Sequence, residues 1–202
     1  RDRATLRGLP LRTVFPNGRI QEIADFDGDR PVYLTTQNLN AAISTGANLL
    51  RSSPYSLTGA GVTIGLWDGG SGRATHQEFG GRITVMDESP SIDHATHVAG
   101  TLIASGVDPA ARGMTSSASI KSYDWNSDTV EMTALGATVA GDPDKIYLSN
   151  HSYGYVSGWN YVGNATRAWE WYGAGTSSAA IEDDFGRYND LARDSDVLAF
   201  SA

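Results

Sequence analysis

The segment Val62-Thr63-Ile64-Gly65-Leu66-Trp67 is almost continuously apolar and stops abruptly at Asp68-Gly69-Gly70. A strand with one face in water alternates apolar and polar residues. A strand without alternation has both faces covered, which is the habit of parallel sheets. Parallel neighbours cannot be joined by tight hairpins and need long crossovers, usually helical. The chain supplies them: apolar strand, polar loop, small-residue helix, strand and helix follow one another. That order predicts an α/β fold, a parallel sheet with helices on both faces. Asp68 then falls at the C-terminal end of a parallel strand, where open α/β sheets gather functional groups. On the residues alone it also reads as a loop former or a cap.

A second segment, Asp93-His94-Ala95-Thr96-His97-Val98-Ala99-Gly100-Thr101-Leu102, reads as a helix with His94 in its first turn and Asp93 as its cap. Ala95, Ala99 and Gly100 are small enough to let that helix lie close to its neighbours. His94 and His97, three apart on one helix, raise the question of zinc. Zinc needs at least a third ligand, and the other histidines, His76 and His151, fall in no ligand-spaced motif. His97 therefore reads as a structural, hydrogen-bonded histidine.

Residues 1–40 differ in character. Leu11 to Phe15 and Arg19 to Ile23 are β-like stretches around Pro16-Asn17-Gly18, and a second turn, Asp27-Gly28-Asp29-Arg30, leads into Pro31 to Thr36. We read 1–40 as a β-rich N-terminal extension or the remnant of a pro-segment, and 41–202 as the main domain. Leu39, Ala42, Ile43, Ala47 and Leu50 recur at helical spacing and predict one helix over 38–50.

Composition narrows the partners. The net charge is −8, and Lys121 and Lys145 are the only lysines among fifteen basic residues. No basic run is present to neutralise phosphates, so nucleic acid is not an expected partner. No run approaches the ~18 apolar residues of a membrane span. With no cysteine, disulfides and thiolate chemistry are excluded. The chain opens on Arg1-Asp2-Arg3 without a secretory leader, as a processed or trimmed N-terminus would.

The strand ending in Asp68-Gly69-Gly70 is similar to the aspartate motif of the subtilisin-like serine proteases. His94 to Thr101, HATHVAGT, resembles their histidine motif HGTHVAGT, with Ala95 in place of a glycine. The order Asp then His, 26 residues apart, also fits. Arg112 to Ile120 resembles the GVAPxAxI segment that leads into the next core strand. Leu148-Ser149-Asn150-His151-Ser152-Tyr153-Gly154 resembles the INMSLG-type strand that borders the substrate cleft. The resemblance implies a serine endopeptidase. His94 would be its general base, and Asp68 would orient the imidazole and stabilise the imidazolium. The backbone of Ser152, Tyr153 and Gly154 would pair with an extended peptide. The expected partner is a peptide or protein substrate and the expected location extracellular.

The family pattern continues with an oxyanion asparagine and then GTSMAAP, which carries the nucleophile. Val197 to Ala202 reads as the strand entering the asparagine segment, so this chain is expected to supply Asp and His but not the serine. A complementing C-terminal segment would provide it. Gly175-Thr176-Ser177-Ser178-Ala179-Ala180 mimics the serine motif. However, Ile181 stands where proline belongs and Glu182-Asp183-Asp184 follows, so Ser177 reads as a loop residue. Trp159, Trp169, Trp171 and Tyr172 are expected to pack a small insertion. No cofactor is required for the chemistry. Structural calcium is a habit of the family; the corresponding loop, Ser105 to Ala111, offers one carboxylate, and no site is assigned. The alternative from another class is a non-catalytic peptide-binding fragment or degenerate protease fold.

Overall fold

A computed structural model describes residues 2–14, 20–27, 29–35, 38–139, 141–142, 145–161, 168–173 and 186–201. The chain divides into two compact units, Arg1–Trp125 with Tyr147–His151, and Asn126–Ile146 with Ser152–Ala202.

The first unit opens with helix α1 (Asp2–Leu6) and an antiparallel sheet ordered β1 (Arg12–Val14), β2 (Ile20–Asp27), β3 (Arg30–Thr35). The β-like stretches flanking the two expected turns pair antiparallel in this sheet, while Pro16-Asn17-Gly18 and Gly28 lie outside the described residues. Arg3 and Arg7 both donate to the Asp29 carboxylate and lie 4.9 and 5.6 Å from the centre of the Phe26 ring. The single helix expected over 38–50 is instead two short ones, α2 (Asn38–Ser44) and α3 (Ala47–Leu50). Gly46 separates them in a left-handed conformation (φ 76°), which glycine reaches without steric cost.

The predicted parallel sheet is present. Its strands β4 (Thr63–Asp68), β5 (Ile83–Val85), β6 (Ser119–Asp124) and β7 (Leu148–His151) are ordered β5-β6-β4-β7, and every pairing is parallel. Ile64 through Asp68 are all buried, so both faces of β4 are covered, as the unbroken apolar run required. Between β5 and β6 runs helix α4 (Asp93–Ile103). Its buried residues Ala95, Ala99 and Ile103 recur every four positions and form one face. Ala99 and Ile103 join Ile64, Leu66, Phe79, Ile83, Ala118 and Ile120 in a single apolar cluster. Since strand side chains alternate, Ile64, Leu66 and Asp68 share the sheet face that α4 covers, while Trp67 points the other way.

The second unit contains helix α5 (Asp128–Gly136), an antiparallel pair β8 (Gly158–Tyr161) and β9 (Trp169–Tyr172), and helix α6 (Asp190–Ser201). Trp159 and Trp171 face each other across the pair, ring centres 5.7 Å apart and edge-on. Trp159 and Trp169 remain more than half exposed, so this aromatic group is thinner than the small core expected of it.

The strand expected at the end of the chain is corrected: from Val197 to Ser201 the backbone is helical. A short apolar run does not distinguish helix from strand by itself. What decides is the start. Asn189 accepts the Ala192 N–H through Oδ1 and the Arg193 N–H through its carbonyl, and Asp190 pairs with Arg193 one turn on.

Candidate active site

Asp68 is the last residue of β4, on the face that α4 covers. The residues after it are tied to the start of that helix. Ser71 N–H donates to the Pro90 carbonyl, Ile92 N–H to the Ser71 carbonyl (both 3.0 Å), and Arg73 N–H to Thr96 Oγ1 (2.9 Å). Ser71 and Ser91 form a parallel bridge. Gly70 permits the approach: a Cβ there would stand 2.6 Å from the Pro90 oxygen.

These ties fix where α4 begins. Ile92 is its extended N-cap, without a side-chain cap, and its carbonyl accepts from both the backbone N–H and the hydroxyl of Thr96. The capping role expected of Asp93 is therefore corrected. Asp93 is the first helical residue, where a carboxylate still complements the positive end of the helix dipole.

In the first turn of the helix, His94 Nδ1 lies 2.9 and 2.8 Å from Oδ1 and Oδ2 of Asp68. An ionised carboxylate can only accept, so Nδ1 is the donor. Asp68 Oδ1 also accepts the Gly69 N–H at 2.7 Å. Burial is unequal across the pair: the Asp68 side chain is 3% exposed and that of His94 56%. The carboxylate is thus shielded from water while the imidazole remains open to solvent. Such an arrangement can hold one tautomer and leave Nε2 available as a base.

Ser152, Tyr153 and Gly154 belong to the second unit and follow β7 directly in sequence, without regular secondary structure, and the Tyr153 hydroxyl donates to Asp128 Oδ2. On the sheet face opposite Asp68, His151 stacks on Trp67 (ring centres 5.3 Å apart) and Trp67 on Tyr123 (4.6 Å). The motif places His151 on a strand but does not reveal this stack, because its three rings come from three different strands. His97 borders a cavity of about 400 Å³ with His76, Arg73 and Asp93. Among the described residues no group of three or more His, Asp or Glu side chains is arranged to hold a metal ion. Ser177 lies outside the described residues.

The loop that the family resemblance offers for calcium does not fit a cation. The backbone N–H groups of Gly106, Val107 and Asp108 converge on the carboxylate of Glu78, a residue that no sequence motif marks.

No curated protein matches this chain. A family model described as the subtilase family matches residues 59–194, about two-thirds of the chain, including all four strands of the parallel sheet and the Asp68–His94 pair. A match of that extent, on a parallel α/β sheet with the motif aspartate at a strand end and the motif histidine in the adjoining helix, makes this chain a member of the subtilase family.

Proposed function

We propose that the protein is a serine endopeptidase of the subtilisin type, to which this chain contributes the aspartate and the general base. His94 Nε2 takes the proton of the attacking serine and returns it to the leaving amine. Asp68 keeps the imidazole in the Nδ1–H tautomer and stabilises the imidazolium. The observation that carries this reading is the buried carboxylate within 2.9 Å of a solvent-open imidazole. The backbone of Ser152, Tyr153 and Gly154 is assigned to pairing with an extended peptide substrate.

In this reading the nucleophilic serine comes from a complementing segment bearing the GTS-x-A-x-P motif. Residues 1–40 are an extension ahead of a peptidase domain that begins near 41. An extracellular location goes with the reading. Among the described residues no helix is long and apolar enough to cross a membrane.

The test is labelling by a serine-directed phosphonate. The reconstituted protein should react at the serine of the added segment, and His94→Ala should slow that reaction by about 10³-fold or more. Labelling of the isolated chain at Ser177 would reassign the nucleophile. Labelling at the added serine that is indifferent to His94→Ala would remove the base assignment.

A further inference from the structure

Helix α4 ends at Ile103, and the chain then turns through Ala104 to Asp108. Glu78, 6% exposed, sits inside this turn. Its Oε2 accepts from Gly106 N–H (2.7 Å), Val107 N–H (3.0 Å) and Ser105 Oγ (3.2 Å), and its Oε1 from Asp108 N–H (2.7 Å). Its main-chain carbonyl accepts the Ser105 N–H at 3.0 Å. Gly106 stands at φ +90°, a conformation side chains rarely adopt, which helps successive amides point inward.

Such a run of convergent N–H groups is an anion nest. A calcium loop has the opposite polarity, with about six to eight oxygens pointing inward. Here the hydrogens of three amides and one hydroxyl point inward, and the anion they surround belongs to the protein. The carboxylate of Asp108 is already engaged, accepting the Ala110 N–H at 3.0 Å. Arg82 completes the junction from the other side, donating to the carbonyls of Glu78, Ile103 and Ala118 at 3.0, 2.8 and 2.7 Å. The end of the histidine helix, the loop after it and the entry to β6 are thereby joined to one short segment, 78–82.

We infer that the loop after the histidine helix takes its order from the Glu78 carboxylate, an internal anion seated in a nest of backbone amides, and that this nest holds no divalent cation. Glu78 does by negative charge what a bound metal does in loops of inward-facing oxygens. A metal-held loop loosens on chelation. This one is independent of calcium and loosens when the carboxylate is removed.

Hydrogen exchange at the amides of Gly106, Val107 and Asp108 tests this directly. In the unaltered protein they should exchange slowly, and at the same rate in millimolar calcium and in chelator. Glu78→Gln keeps the shape but places an amide NH₂ among donors, and should speed exchange at these three positions by tenfold or more. Glu78→Asp, which keeps the charge on a shorter stem, should fall between the two. Faster exchange on chelation in the unaltered protein would overturn the inference, as would unchanged rates in Glu78→Gln. Should Glu78→Gln fail to fold, the calcium comparison and Glu78→Asp still decide.

Discussion

His94 Nδ1 lies almost equally far from the two carboxylate oxygens of Asp68, at 2.9 and 2.8 Å, so the ring nitrogen faces the centre of the carboxylate. The contact spans 26 residues of sequence, and the carboxylate, not the ring, is the buried partner. Because the Asp68 carboxyl is enclosed by the sheet end, the Gly69 amide and α4, its attraction for the Nδ1 proton is less screened than in water.

The tautomer of His94 follows from this contact. Neutral His94 should carry its proton on Nδ1, which long-range nitrogen–proton NMR correlations read directly. Asp68→Asn can donate its NH₂ to Nδ1 and should shift the proton to Nε2. Under the proposed peptidase function, the same substitution should lower kcat of the reconstituted protein by about 10⁴-fold with the fold intact. An unaltered tautomer in Asp68→Asn would separate the carboxylate from the role given to it.

Gly70→Ala should disturb the presentation of His94 from a distance. The added methyl would stand 2.6 Å from the Pro90 carbonyl oxygen and 3.0 Å from Ile92 Cγ2, pushing on the segment that starts α4. Overpacking of this kind costs about 1–3 kcal/mol. Urea unfolding should register that loss, and the His94 ring resonances should move. A variant as stable as the parent, with unmoved resonances, would show that the turn yields freely.

Ile103→Ala should be among the costlier core changes. Ile103 is fully buried at the end of α4 in the cluster with Ile64, Leu66 and Ile120. Truncation there removes about 2–5 kcal/mol. The same substitution at Val130, which is 70% exposed, should cost far less. Denaturant midpoints compare the two, and equal losses would contradict the assigned core.

Acid should weaken the protein partly through Glu78. Burial alone would raise its pKa, but hydrogen bonds from the amides of Asp108, Gly106 and Val107, with the Ser105 hydroxyl, hold it below the ordinary glutamate value. The folded state therefore binds fewer protons at this site than the unfolded chain. Its contribution is complete above the unfolded value, near pH ~4.3, and is lost as the pH falls through the lower folded value. Arg82, His76, Asp108 and Arg112 are the other ionisable groups around this junction. In calorimetric melts through the acid range, Tm should fall more steeply in the unaltered protein than in Glu78→Gln. Parallel curves would mean that Glu78 titrates alike folded and unfolded.

Much of the sheet was legible in the residues, because its signals are local. The apolar run before Asp68 specified a strand covered on both faces. The small residues Ala95 and Ala99 marked the side on which the helix packs closely. Other elements hung on contacts the string of residues does not display. Gly46, inside the helical pattern of Leu39 to Leu50, allows the left-handed conformation that divides the helix but does not by itself require it. The apolar end of the chain suited helix and strand alike until Asn189 and Asp190 set the first turn of α6.

The sequence by itself determined the parallel α/β class and set an aspartate and a histidine at the ends of two elements, since periodicity and motif order are properties of neighbouring residues. Tertiary structure alone decided that these two side chains meet, because their meeting depends on Gly70 letting the chain pass Pro90 and on the Ser71–Ser91 bridge that sets the start of α4. It also decided that Glu78 becomes the anion of a loop about thirty residues away. Hydrogen bonds between segments distant in sequence are made only once the sheet has assembled, and no local pattern encodes them.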